Sequence, residues 1–116
     1  MNRYYCDTYK CEFFFYVGVK PSVFCADIKS RFGDKRQPES LGDGLCLELS
    51  NEFNCVAYVI WTRFKKMQPE LAHECLHATM FLFENRGIKI DPNNSEPTCY
   101  MVEKLMRVGN DGNAKN

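Results

Sequence analysis

The sequence contains two histidines, and they stand four residues apart in His73-Glu74-Cys75-Leu76-His77. On a helix, positions i and i+4 lie on one face about one turn apart. Two imidazoles so placed reach one tetrahedral zinc ion, and the intervening glutamate stands beside the metal as a general base. A chain so poor in histidine that spends both this way points to a metal. The plain alternative is a pair of surface histidines on a solvated helix.

Catalytic zinc takes three protein ligands and a water. With no third histidine, the third ligand must be Asp, Glu or Cys. Glu84 follows His77 by two helical turns, roughly 10 Å along the axis, too far to share the ion. Asp91 comes after the turn at Gly87, where the backbone has room to fold back. Glu96 opens the next helix, and the extended stretch before it spans up to ~23 Å, enough to return towards the histidines. Cys75 points away from the histidine face, and Cys99 follows Glu96 in apolar surroundings.

The elements that must position these residues read as an α+β fold. Glu12 to Val19 is a strand candidate rich in Phe, Tyr and Val. Pro21 suits a first helical turn, Phe24, Ile28 and Phe32 recur at helical spacing, and Gly33 is the stop. A polar loop runs from Gly33 to Gly44. Leu45 to Leu49 alternates, with Leu45, Leu47 and Leu49 on one face, so it reads as a half-buried strand. A turn over Ser50 to Asn54 leads to Cys55–Phe64, a strong strand signal. The two strands are expected to pair as an antiparallel hairpin. The histidine helix then begins at Pro69, has Leu76, Met80 and Phe83 as its expected apolar stripe, and stops at Gly87. A last helix starts near Glu96 and reaches Val108, with Met101, Leu105 and Val108 buried. The expectation is a small antiparallel sheet packed on the histidine helix and the C-terminal helix. It forms one domain over residues 1–108, with a disordered tail over residues 109–116.

The 116 residues suit one modest core, and 15 basic residues balance 15 acidic ones. That balance gives no electrostatic argument for nucleic acid or an anionic membrane. No stretch approaches the ~18 apolar residues of a membrane span. The start, Met1 to Lys10, has no apolar leader core. The seven cysteines, an odd number, sit mostly in apolar runs and read as reduced thiols. The expected compartment is therefore the cytoplasm.

The stretch His73-Glu74-Cys75-Leu76-His77-Ala78, followed by Glu96-Pro97-Thr98-Cys99-Tyr100 opening a helix, resembles the zincin-like metallopeptidases. Among them it is most similar to the compact ImmA/IrrE-like group and to small phage-encoded H-E-x-x-H proteins. The likeness covers about residues 54–108. It implies Glu96 as third zinc ligand, with Cys99 as the small residue three positions on. It further implies a zinc-dependent peptidase (a hydrolase) acting on a protein or peptide substrate. Glu74 would be the general base on zinc-activated water, and Tyr100 a donor to the oxyanion. A strand preceding the active helix forms the sheet edge in zincins. The resemblance therefore implies Cys55–Phe64 as that edge, with Trp61 and Arg63 touching substrate. The other readings are a catalytically inert phage-type binding protein that keeps the fold, and a plain interaction domain.

Overall fold

The computed structural model describes residues 1–50, 55–66 and 68–111. The elements are β1 (Asn2–Cys6), β2 (Cys11–Val17), α1 (Pro21–Phe32), β3 (Gly44–Ser50), β4 (Val56–Thr62), α2 (Gln68–Asn85) and α3 (Glu96–Asn110), with short 3₁₀ turns at Pro38–Ser40 and Pro92–Asn94. The strands form one sheet in the order β1-β2-β4-β3. The α+β class is as expected, but the sheet is mixed. β1/β2 and β3/β4 are antiparallel, whereas β2 and β4 run parallel. The parallel pair arises because α1 lies between β2 and the β3–β4 hairpin in the chain, a connection long enough to return the strand in the same direction.

β2 and β4 are the inner strands, and helices cover both of their faces. Phe13, Phe15, Tyr58 and Ile60 pack under α2 and α3. Phe14, Tyr16, Val59 and Trp61 pack under α1. A strand buried on both sides has no polar face to alternate with, which explains the unbroken runs Phe13-Phe14-Phe15-Tyr16 and Tyr58-Val59-Ile60-Trp61. β3 is an edge strand and alternates as its sequence predicts. Leu45, Leu47 and Leu49 join the α1 side, and Cys46 packs against the core under α2.

Both helix stops follow from glycine. Gly33 (φ +73°) ends α1, its N–H donating to the Lys29 carbonyl at 3.0 Å. Gly87 (φ +67°) ends α2, and the next N–H, from Ile88, donates to the Phe83 carbonyl at 2.8 Å. That bond is the wide turn of a Schellman stop.

The buried face of α2 differs from the expected one. Leu76 and Met80 are 44% and 45% exposed, and the core row is Leu71, Cys75, Ala78 and Leu82 with Phe83. The residues at these core positions include small, weakly apolar ones, which let the helix lie close to the sheet. The larger Leu76 and Met80 dominate the sequence pattern yet face outwards. Thr79 is fully buried because its hydroxyl donates to the Cys75 carbonyl at 2.9 Å.

α3 buries Met101, Leu105 and Val108 as predicted, and continues through Gly109 and Asn110. A side chain at Gly109 would meet Leu71 at 3.2 Å and Phe15 at 3.3 Å, so glycine lets α3 close on α2 and the sheet. Of the turn expected over Ser50–Asn54, Ser50 instead ends β3, and of the disordered tail expected over residues 109–116, Gly109 and Asn110 instead belong to α3; residues 51–54 and 112–116 lie outside the described residues. Among the described residues, no helix is long and apolar enough to cross a membrane.

Candidate metal centre

α2 carries His73, Glu74 and His77 in its first half and lies over β3 and β4, while α3 lies over β2 and β1. With the strand order β1-β2-β4-β3, the flank of α2 towards β3 is turned away from α3. Glu74 lies on that flank: a Cβ on Gly44 of β3 would fall 3.1 Å from its Oε2. Farther along, Asn85 donates to Glu48 Oε2 at 2.6 Å and to the Tyr58 hydroxyl at 2.7 Å, fixing the same flank against β3 and β4.

The two histidines converge. Their Nε2 atoms stand 3.0 Å apart, one donating and the other accepting according to tautomer. The His77 ring also stacks on Phe81, with centroids 6.0 Å apart. The ligand atoms of His73, Glu74 and His77 all lie within 4.8 Å of one another. Two nitrogens on one tetrahedral zinc at 2.0–2.1 Å stand about 3.3 Å apart, so the observed separation fits a shared ion with little movement. His73 is exposed, so solvent reaches the pair, whereas Glu74 is buried. Burial pushes the Glu74 carboxyl above the usual carboxylate range, and the neighbouring imidazoles pull it the other way. A buried carboxylate beside two imidazole nitrogens that could hold a metal ion is a base held out of bulk water.

Gly44 leaves the carboxylate room: a Cβ there would oblige Glu74 Oε2, at 3.1 Å, to give by a few tenths of an ångström, and would stand in ordinary contact with Glu74 Cγ and the Trp61 carbonyl. Local pattern carries no sign of this role. Gly44 reads as the end of a polar loop, and only the packing of α2 on β3 brings it to Glu74.

Glu96 does not join the cluster. Gln68 Nε2 donates to Asn110 Oδ1 at 2.7 Å, so the start of α2 meets the end of α3 and the helices run antiparallel. Glu96 then lies about 20 Å along α3 from that junction, while His73 lies about 8 Å along α2 from it. Glu96 is exposed in the first turn of α3, on the side of α2 away from the histidines. Asp91 caps the preceding 3₁₀ turn by accepting from the Asn93 N–H at 2.7 Å. Tyr100 is 65% exposed and borders a cleft with Tyr4, Tyr9 and Lys104, on the other flank of the molecule. Cys99 is exposed on α3. Cys75 is buried at the sheet face, away from the cluster, its thiol pushed up to about 12 by burial and by the Glu74 carboxylate.

Glu96→Ala is therefore expected to leave zinc affinity unchanged in a calorimetric titration. A loss of about tenfold, roughly 1.4 kcal/mol, would restore Glu96 as a ligand and require α3 to shift.

The edge position that the resemblance implies for β4 is not observed. β4 is an inner strand, and the edge nearest Glu74 is β3. Trp61 is fully buried on the α1 side, its indole N–H donating to the Val19 carbonyl at 2.7 Å. Arg63 lies over the Trp61 ring and donates to the Gly42 carbonyl from Nε and Nη2 at 3.0 and 2.8 Å. It holds the loop ahead of β3 in place.

No family model, curated protein or solved structure matches this chain.

Proposed function

We propose that this chain is a zinc-dependent metallopeptidase of zincin-like type, with Glu74 as general base. The observation that carries this reading is the joint placement of His73, Glu74 and His77. The two Nε2 atoms converge at 3.0 Å, and the glutamate between them is buried with its carboxylate alongside.

His73 and His77 would hold the ion through their Nε2 atoms. When bound, zinc would supply Lewis acidity towards a peptide carbonyl and an attacking water. Glu74 accepts the proton of that water at its carboxylate and delivers it to the leaving amine. Its buried position beside Gly44 limits competition from bulk water. The edge strand β3 passes directly beside Glu74, and a sheet edge carries backbone groups that pair with an extended peptide. β3 therefore takes the docking role that the sequence resemblance assigns to β4.

Two imidazole ligands hold zinc less firmly than the three protein ligands of a typical catalytic centre. The expected behaviour is reversible loading of one zinc per chain, stripped readily by a chelator. The test is incubation of the zinc-loaded chain with a mixture of fluorogenic peptides, with and without 1,10-phenanthroline. Chelator-sensitive cleavage supports the peptidase. Loading with zinc but no cleavage of any peptide or unfolded protein would overturn it in favour of a binding protein that carries a metal.

A further inference from the structure

A second pair of reactive side chains lies in the β1–β2 hairpin. Cys6 and Cys11 are directly opposite each other in the antiparallel register, joined by the turn over residues 7–10. Opposed residues in such a pair have Cα atoms about 4.5 or 5.5 Å apart. Both separations fall in the ~4.4–6.8 Å span of disulfides. Both side chains therefore leave the sheet on the same face, and both are buried in the core under α2 and α3. Both are free thiols, and in the strand registers described no other cysteine faces a cysteine.

Both cysteines border clefts: Cys6 one of about 260 Å³ whose wall includes Thr8, Pro97, Tyr100 and Lys104, and Cys11 one of about 470 Å³ whose wall includes Arg3, Lys10 and Arg31. The Lys104 ammonium lies 5.2 Å from the Tyr4 ring centroid, placing a cation at the Cys6 cleft. Burial, and Cys6 beside it, push the Cys11 thiol up to about 12, which makes it the slower of the two to give up its proton.

We propose that Cys6 and Cys11 are a modification site: a cross-strand dithiol that a small anionic disulfide of the glutathione type oxidises to an intramolecular disulfide. Cys6 Sγ, giving up its proton, attacks one sulfur of the small disulfide, whose own S–S bond breaks and releases one thiol. Cys11 then loses its proton and attacks Cys6 Sγ, and the second small thiol leaves. Two protons and two electrons pass to the two released thiols. The protein gains one S–S bond between directly opposed residues of an antiparallel pair, whose ordinary Cα separation of about 4.5 or 5.5 Å suits a disulfide. The carboxylates of a glutathione-type molecule match the Lys104 ammonium at the cleft. The turn so closed rests on the C-terminal end of α2, through the Arg86 to Tyr9 carbonyl bond at 2.6 Å and the Tyr9–Phe83 ring contact. This inference is independent of the metal centre.

The test treats the reduced full chain with excess glutathione disulfide under native conditions, then alkylates free thiols and digests with trypsin. Lys10 lies between the two cysteines, so cleavage there separates them unless a disulfide joins the peptides. The expected result is a Cys6–Cys11 linked peptide as the main cross-link, reversed by dithiothreitol, with alkylation lost at both positions. In Cys11→Ser the reaction should halt as a glutathione adduct on Cys6. The proposal is overturned if Cys6 and Cys11 stay alkylated while exposed Cys55 and Cys99 react, or if either pairs with a different cysteine. Should Cys11→Ser fail to fold, the wild-type cross-link decides alone.

Discussion

Glu74→Gln is expected to cut hydrolysis by ~10²–10⁴-fold, the usual contribution of a positioned general base. Glutamine keeps the size of the side chain and fits the space that Gly44 leaves, where a Cβ would fall only 3.1 Å from Oε2. What it loses is the basic oxygen. Zinc affinity should stay near that of the parent, because the convergent ligand atoms are the two histidine Nε2 nitrogens. Stability should hold or rise slightly, since burial raises the glutamate's pKa and so disfavours its charged form. The measurement is cleavage of the best peptide from the mixture, with zinc content checked in the same sample. Undiminished cleavage with zinc in place would falsify the general-base assignment. If cleavage falls only in step with lost zinc, Glu74 serves as a ligand instead.

His73→Ala should remove zinc binding without unfolding the chain. Loss of a group that merely supports a ligand already costs roughly 10–100-fold in affinity. Removing one of two convergent imidazoles should exceed that, leaving no stoichiometric binding in a calorimetric titration. His73 is exposed, and substitutions at exposed sites usually change stability by no more than about 0.5 kcal/mol. The melting transition of the metal-free variant should therefore match that of the metal-free parent. Full zinc affinity in His73→Ala would show that the ion sits elsewhere, and the peptidase reading would fall with it. A large loss of stability would instead mean that the 3.0 Å contact between the rings is structural.

Gly44 illustrates how far local pattern reaches. Its neighbours Leu45, Leu47 and Leu49 identify β3 by alternation, because one face of an edge strand is buried and the other is not. Nothing local distinguishes Gly44 from a loop glycine. Its role depends on a side chain 30 positions away that arrives from a helix laid across the strand.

The histidine spacing, the helix that carries it, its glycine stop, the β3–β4 hairpin and the buried side of α3 are all legible in the sequence. Each rests on a period or a backbone preference that acts over a few residues. The resemblance assigns the third ligand to Glu96, across an intervening turn whose path no local rule fixes. The tertiary structure decides otherwise, because α3 runs antiparallel to α2 on the flank away from β3. It also decides that β2 and β4 pair in parallel, which makes β3 rather than β4 the exposed edge beside Glu74. The same packing turns Leu76 and Met80 outwards and puts Cys75 and Ala78 inside. Close approach between a helix and a sheet rewards small side chains, and that reward exists only once both are in place.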